Sequence, residues 1–199
     1  MSTQGIIALV IFLFPLAYSP GPGNIFFAIN GARFGFLSTI GLTLGYHIAT
    51  LVVTLAIGFG FLSLLNQFPD VFLVIKIAGA GYVLWLAWNL FRAGILTDQQ
   101  QPKAAGFMDG VILLLFNPKA YFIIAVMFSQ FLKNTPENNT ALIVWISIIF
   151  TLNNLLAFSI WTVLGDSLAR LFRNELMSRK LNTAFGLMLA IVAVWMLFI

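Results

Sequence analysis

Ser19-Pro20-Gly21-Pro22-Gly23-Asn24 and, about half a chain later, Asn117-Pro118-Lys119 interrupt the apolar runs in which they sit. Inside a helix, proline removes a backbone hydrogen bond and collides with the preceding turn, at a cost of about 3 kcal/mol or more. The residues in front of Pro20 and Pro118 are Ser19 and Asn117, both good N-caps, and proline suits the first helical position. Each stretch therefore reads as the start of a new half-helix within a longer apolar segment. Such a start offers backbone N–H groups without intrahelical partners and the positive end of a helix dipole. Gly21 and Gly23 would let a ligand approach the backbone closely. An anion, such as a substrate carboxylate, suits that geometry. One proline in a membrane helix is more often a kink than a site, whereas two capped breaks at matching places point to a site.

The surroundings of the breaks set the solvent. Of 199 residues, 61% are hydrophobic and 8% charged, against about a quarter charged in a soluble domain. That composition leaves too little polar surface to face water on all sides, so lipid is the expected surround. Apolar segments of spanning length fall at about 5–31, 36–65, 71–92, 106–132, 140–164 and 181–199, and Asp166 to Lys180 reads as a short amphipathic stretch at the interface. The first is too long, and lacks the basic leader, for a cleaved signal peptide, so it reads as a retained span. None shows the alternation of a barrel strand. The expected fold is an all-α membrane protein, a bundle of six transmembrane helices forming a single domain over 1–199.

Basic residues give an orientation. Arg33, Arg92, Lys103, Arg170, Arg173, Arg179 and Lys180 fall on one side of this arrangement, opposed by Lys133, and by Lys76 if it snorkels that way, on the other. The positive-inside rule then puts both termini outside the cytoplasm. Halves of about 1–98 and 99–199 have opposite topology, each beginning with a broken helix, so helices 1 and 4 head two inverted three-helix repeats.

The remaining polar residues within the segments are few. Lys119, beside the second break, reads either as an anchor for a substrate carboxylate or as a side chain snorkelling to an interface. His47, the one histidine, could carry a proton or simply bond to a neighbouring helix, and Asn153 and Asn154 could line the path or do the same. Gly41-Leu42-Thr43-Leu44-Gly45 signals close helix packing, with or without a dimer; a homo-oligomer stays open. Trp85, Trp88 and Trp161 read as interfacial anchors or core. There is no cysteine and no cluster of metal-ligating side chains, so no metal site or cofactor is expected. Catalytic chemistry lacks a nucleophile held by a base, and the thinly spread basic residues form no nucleic-acid surface. An accessory membrane protein without transport activity is the alternative to a transporter, but it would not need two matching breaks.

Several of these residues also carry a family resemblance. Ser19-Pro20-Gly21-Pro22-Gly23-Asn24-Ile25 resembles the Pro-Gly-Pro-Asn signature of the LysE/RhtB amino-acid exporters, with Gly23 inserted before Asn24. Gly31-Ala32-Arg33-Phe34-Gly35 is similar to their Gly-x-Arg-x-Gly turn, Gly79 to Trp88 to their third helix, and Phe116-Asn117-Pro118-Lys119-Ala120 to their Asn-Pro-Lys motif. The resemblance implies efflux of amino acids or small derivatives across a bacterial inner membrane, driven by an ion gradient, with the proton as the expected coupling ion. No acidic residue stands clear inside a segment to balance a cationic side chain, so a neutral amino acid is the expected substrate.

Overall fold

The computed structural model describes residues 1–61, 77–78, 80–85, 87–88, 91, 103–132, 140–171 and 175–198. Every regular element among them is helical: α1 (Thr3–Tyr18), α2 (Pro22–Phe34), a 3-10 turn (Leu37–Thr39), α3 (Ile40–Ala56) continuing into a π turn (Ile57–Phe61), α4 (Phe107–Leu115), α5 (Pro118–Phe131), α6 (Thr140–Leu171) and α7 (Glu175–Phe198). The described residues between 77 and 91 are also helical. Much of the third expected segment, the linker before Lys103 and the turn at 133–139 lie outside the described residues.

Among the described residues two stretches, Leu37–Gly60 and Thr140–Leu168, are long and apolar enough to cross a membrane. The count rises to four if each bent pair is one span: α1 with α2, bent by 67°, and α4 with α5, bent by 63°. Both bends fall at the proline stretches. Of the stretch from Asp166 to Lys180, read as a short amphipathic stretch at the interface, the described residues supply the end of α6 and the start of α7. Outward-facing side chains such as Ile11, Leu44, Val52, Leu152 and Ile191 are large and apolar, as a lipid-facing surface requires. Inward-facing hydroxyls return their hydrogen bonds to the same helix: Thr50 to the Tyr46 carbonyl, Thr54 to that of Thr50, Ser147 to that of Ile143.

The two ends of the bundle close differently. At the end holding the α2 C-terminus, backbone lies on backbone. A Cβ on Gly31 would strike the Thr162 carbonyl, and one on Gly165 the Ala28 carbonyl, which binds α2 to α6. Gly45 meets the Phe107 carbonyl and Gly110 the Leu42 carbonyl, which binds α3 to α4. The 41–45 motif thus serves close packing within the chain, as small residues do in membranes. Asp109 accepts from the Gly106 N–H at 2.7 Å and caps α4 at this end. At the opposite end α1, α5, the π turn and α6 close through side chains, with Leu9, Leu13, Ile57, Met127, Phe128 and Ile146 in one buried cluster.

Candidate functional site

The first break is built differently from its sequence reading. Helix α2 starts at Pro22, with Gly21 at the N-cap position, and Ser19 is the C-cap of α1 rather than the N-cap of a helix beginning at Pro20. Pro20 lies between the helices. The reason is the carbonyl end of α1, whose last groups lose their helical partners at the break. Four consecutive carbonyls there each receive a side-chain donor. The Ser19 hydroxyl donates to Leu16 at 3.0 Å, Asn24 Nδ2 to Ala17 at 2.9 Å, Trp161 Nε1 to Tyr18 at 3.1 Å and Lys119 Nζ to Ser19 at 2.7 Å. Lys119 also donates to the Ser19 hydroxyl at 3.0 Å and reaches the Pro20 carbonyl at 3.4 Å. Its side chain therefore crosses to the first break rather than running along its own helix to an interface.

Gly21 and Gly23 are placed where a side chain would not fit. A Cβ on Gly21 would lie 2.8 Å from Lys119 Cδ, and one on Gly23 would lie 2.8 Å from the Phe158 ring and 3.2 Å from the Tyr46 hydroxyl. The space beside both glycines is taken by protein, and Asn24, displaced by one residue relative to the Pro-Gly-Pro-Asn pattern, turns back to cap α1.

The second break follows its sequence reading in position. Helix α5 starts at Pro118, with Asn117 extended at the N-cap (φ −99°, ψ 94°). The Asn117 side chain makes no cap, however. Its Nδ2 donates across the bundle to the Tyr46 hydroxyl at 3.0 Å. The Tyr121 hydroxyl donates to the Leu115 carbonyl at 3.1 Å and covers the end of α4.

Between the breaks lies a cleft with about 250 Å³ of empty space, part of it open to the surroundings. Its wall includes Asn24, Tyr46, Asn117, Lys119, Asn154 and Phe158 and, among the described residues, no Asp or Glu. Four rings back it: Phe27 from α2, Tyr46 and His47 from α3, and Phe158 from α6. Phe27–Phe158 centroids are 4.8 Å apart, Tyr46–Phe158 4.6 Å and Tyr46–His47 5.3 Å. His47 is buried, with Nδ1 2.7 Å from the Thr43 carbonyl; because a carbonyl only accepts, Nδ1 carries the proton and Nε2 is left as an acceptor without a partner. Asn154 is on the cleft wall. Asn153 is buried beside it in sequence but off that wall, its Nδ2 without a partner.

Tyr46, Phe158 and Trp161 were not singled out for these roles by sequence. Tyr46 adjoins His47, but nothing in a helical apolar run marks a tyrosine as the partner of an asparagine 71 residues away. Among the described residues no group of three His, Asp or Glu side chains could hold a metal ion.

A break in each of two apolar segments, joined over a polar cleft, is an arrangement of membrane transporters. Residues 14–198 match the model of the LysE type translocator family, and the chain belongs to that family. It is 29% identical to a cysteine/O-acetylserine efflux protein of Salmonella choleraesuis over 179 residues, 89% of this chain and 90% of the relative. It is 27% identical to the protein of the same description in Escherichia coli K12, with the same coverage, and 27% identical to an uncharacterized membrane protein of Vibrio cholerae over 185 residues, 90% and 89% of the two chains. No solved structure matches the chain significantly.

Proposed function

We propose that the chain is a secondary transporter that exports small neutral amino acids or their derivatives across a bacterial inner membrane. The observation that carries this reading is the junction of Lys119 with Ser19, which ties two breaks 100 residues apart over one cleft. Six spans in two inverted halves, with both termini periplasmic, suit the charge distribution and the two bent pairs. Of the substrate site proposed from sequence, Ser19 to Asn24 with Asn117, Pro118 and Lys119, three residues, Asn24, Asn117 and Lys119, are on the cleft wall, which supports the reading for those three. The start of α2 and the Lys119 ammonium group favour a carboxylate there. A cationic side chain would meet Lys119 with no acidic residue on the wall to balance it, so neutral substrates are favoured. The relatives described as cysteine/O-acetylserine efflux proteins support substrates of that size.

Export then requires the two ends of the bundle to open in turn. The backbone-on-backbone packing at one end and the side-chain cluster at the other are the two closures. A proton gradient is the proposed drive, with His47 as its titrating group. Its partnerless Nε2 can take a proton, and Asn153 and Asn154 lie one helix away. The test is export of a panel of amino acids from cells overproducing the chain. Faster appearance of a neutral amino acid outside the cells is expected, and no change for any member of the panel would contradict the reading.

A further inference from the structure

Among the polar side chains on the cleft wall, Asn24 donates to the Ala17 carbonyl, and Lys119 donates to the Ser19 carbonyl and hydroxyl. The Tyr46 hydroxyl accepts from Asn117 Nδ2 at 3.0 Å. Among the described residues of the wall, one fully buried side-chain acceptor has no partner. Asn117 Oδ1 is buried, on a residue only 4% exposed, and has no hydrogen-bond partner. An amide oxygen can only accept, so the group that completes it must bring N–H or O–H. Buried polar atoms are nearly always paired, and one left unpaired on the wall of a cleft indicates what the cleft receives.

We infer that Asn117 Oδ1 is the acceptor for the protonated amine of the substrate, and that Tyr46 is the positioning residue that turns the amide toward it. This inference rests on the transport reading and deepens it by assigning the two ends of a zwitterion to different elements. The carboxylate lies toward Lys119 and the start of α2, and the ammonium group lies on Asn117. The Tyr46 and Phe158 rings at the wall add favourable faces for a cation. Neutral hydrogen-bonding groups can hold the ammonium here because the substrate carries its own counter-charge. A ligand with an amine and no carboxylate keeps the Asn117 contact; a ligand with a carboxylate and no amine does not.

The experiment measures uptake of labelled L-cysteine into inverted membrane vesicles containing the full chain. Unlabelled cysteine, cysteamine, which lacks the carboxylate, and 3-mercaptopropionate, which lacks the amine, are the competitors. Asn117→Ala is expected to weaken competition by cysteine and cysteamine on the order of 10- to 100-fold, as for a lost hydrogen bond to a charged group. Competition by 3-mercaptopropionate should stay within about twofold, since that ligand has nothing to lose at Asn117. Asn117→Asp, which keeps the acceptor, should restore the response to the amine. Tyr46→Phe should give a weaker form of the same selective loss. Equal loss for all three ligands would make Asn117 a structural residue, and selective loss for 3-mercaptopropionate would mean that the amide presents its N–H groups to a carboxylate; either result overturns the inference while leaving the transport reading intact. Absence of cysteine uptake by the unaltered chain would remove both.

Discussion

Lys119 Nζ donates to the carbonyl of Ser19 at 2.7 Å, so the lysine beside the second proline break closes the carbonyl end of the first. A lysine in this position does two things. It brings a basic group to the cleft wall, and it ties the second break to the first.

Replacing Lys119 by methionine therefore acts on both. The Ser19 carbonyl, which is only part-buried, loses its donor, at a cost of about 1 kcal/mol. Apparent substrate affinity should fall by about one to two orders of magnitude, the equivalent of a charge-assisted hydrogen bond. The measurements are thermal unfolding of the purified protein in detergent and concentration-dependent transport in vesicles. Unchanged values in both would show that the junction contributes to neither.

Trp161→Phe isolates the structural part. Phenylalanine keeps much of the ring but loses the Nε1 donor to the Tyr18 carbonyl. A loss of about 1 kcal/mol in stability is expected, with little change in substrate affinity. A large effect on affinity with no effect on stability would place Trp161 in the site instead.

The glycine closures differ from one another in a testable way. Ala at Gly45 or Gly165 would drive a methyl group into a neighbouring backbone carbonyl, so the helices must separate, whereas Gly41 has its nearest neighbour at 3.5 Å. Gly45→Ala and Gly165→Ala should cost about 1–3 kcal/mol and Gly41→Ala much less. Denaturation of the three variants side by side checks the order, and equal costs would contradict the close approach.

Because the chain has no cysteine, any introduced cysteine is unique. With both termini periplasmic, Ser2→Cys should react with a membrane-impermeant thiol reagent in intact cells whose outer membrane has been permeabilised. Lys103→Cys should react only after the inner membrane is opened. The reverse pattern would invert the orientation read from the basic residues.

The positions of the breaks were legible because proline acts locally: no distant contact is needed to see that a helix cannot run smoothly through Pro118. Their chemistry was only partly legible. Ser19 reads as an N-cap from its neighbour Pro20, yet in the fold it ends α1, because the orphaned carbonyls there draw donors from Asn24, Lys119 and Trp161. Two of those donors lie over 90 residues away, beyond any local pattern. The same holds for Tyr46, whose role depends on Asn117 arriving from another helix. The glycine pair at 41–45 was readable as close packing, but its partner, the backbone at Phe107, was not.

The central claim is that a small neutral amino acid crosses the membrane through a site at the junction of the two breaks. Counterflow in proteoliposomes of the purified chain tests it most directly. Vesicles are loaded with unlabelled L-cysteine and labelled L-cysteine is added outside. The account predicts saturable accumulation of label above that in protein-free vesicles, sharply reduced when Pro20, Pro22 and Pro118 are all replaced by alanine, although the protein still inserts. Accumulation no greater than in protein-free vesicles, for cysteine and for a panel of other neutral amino acids, or full accumulation by the triple-alanine variant, would contradict it.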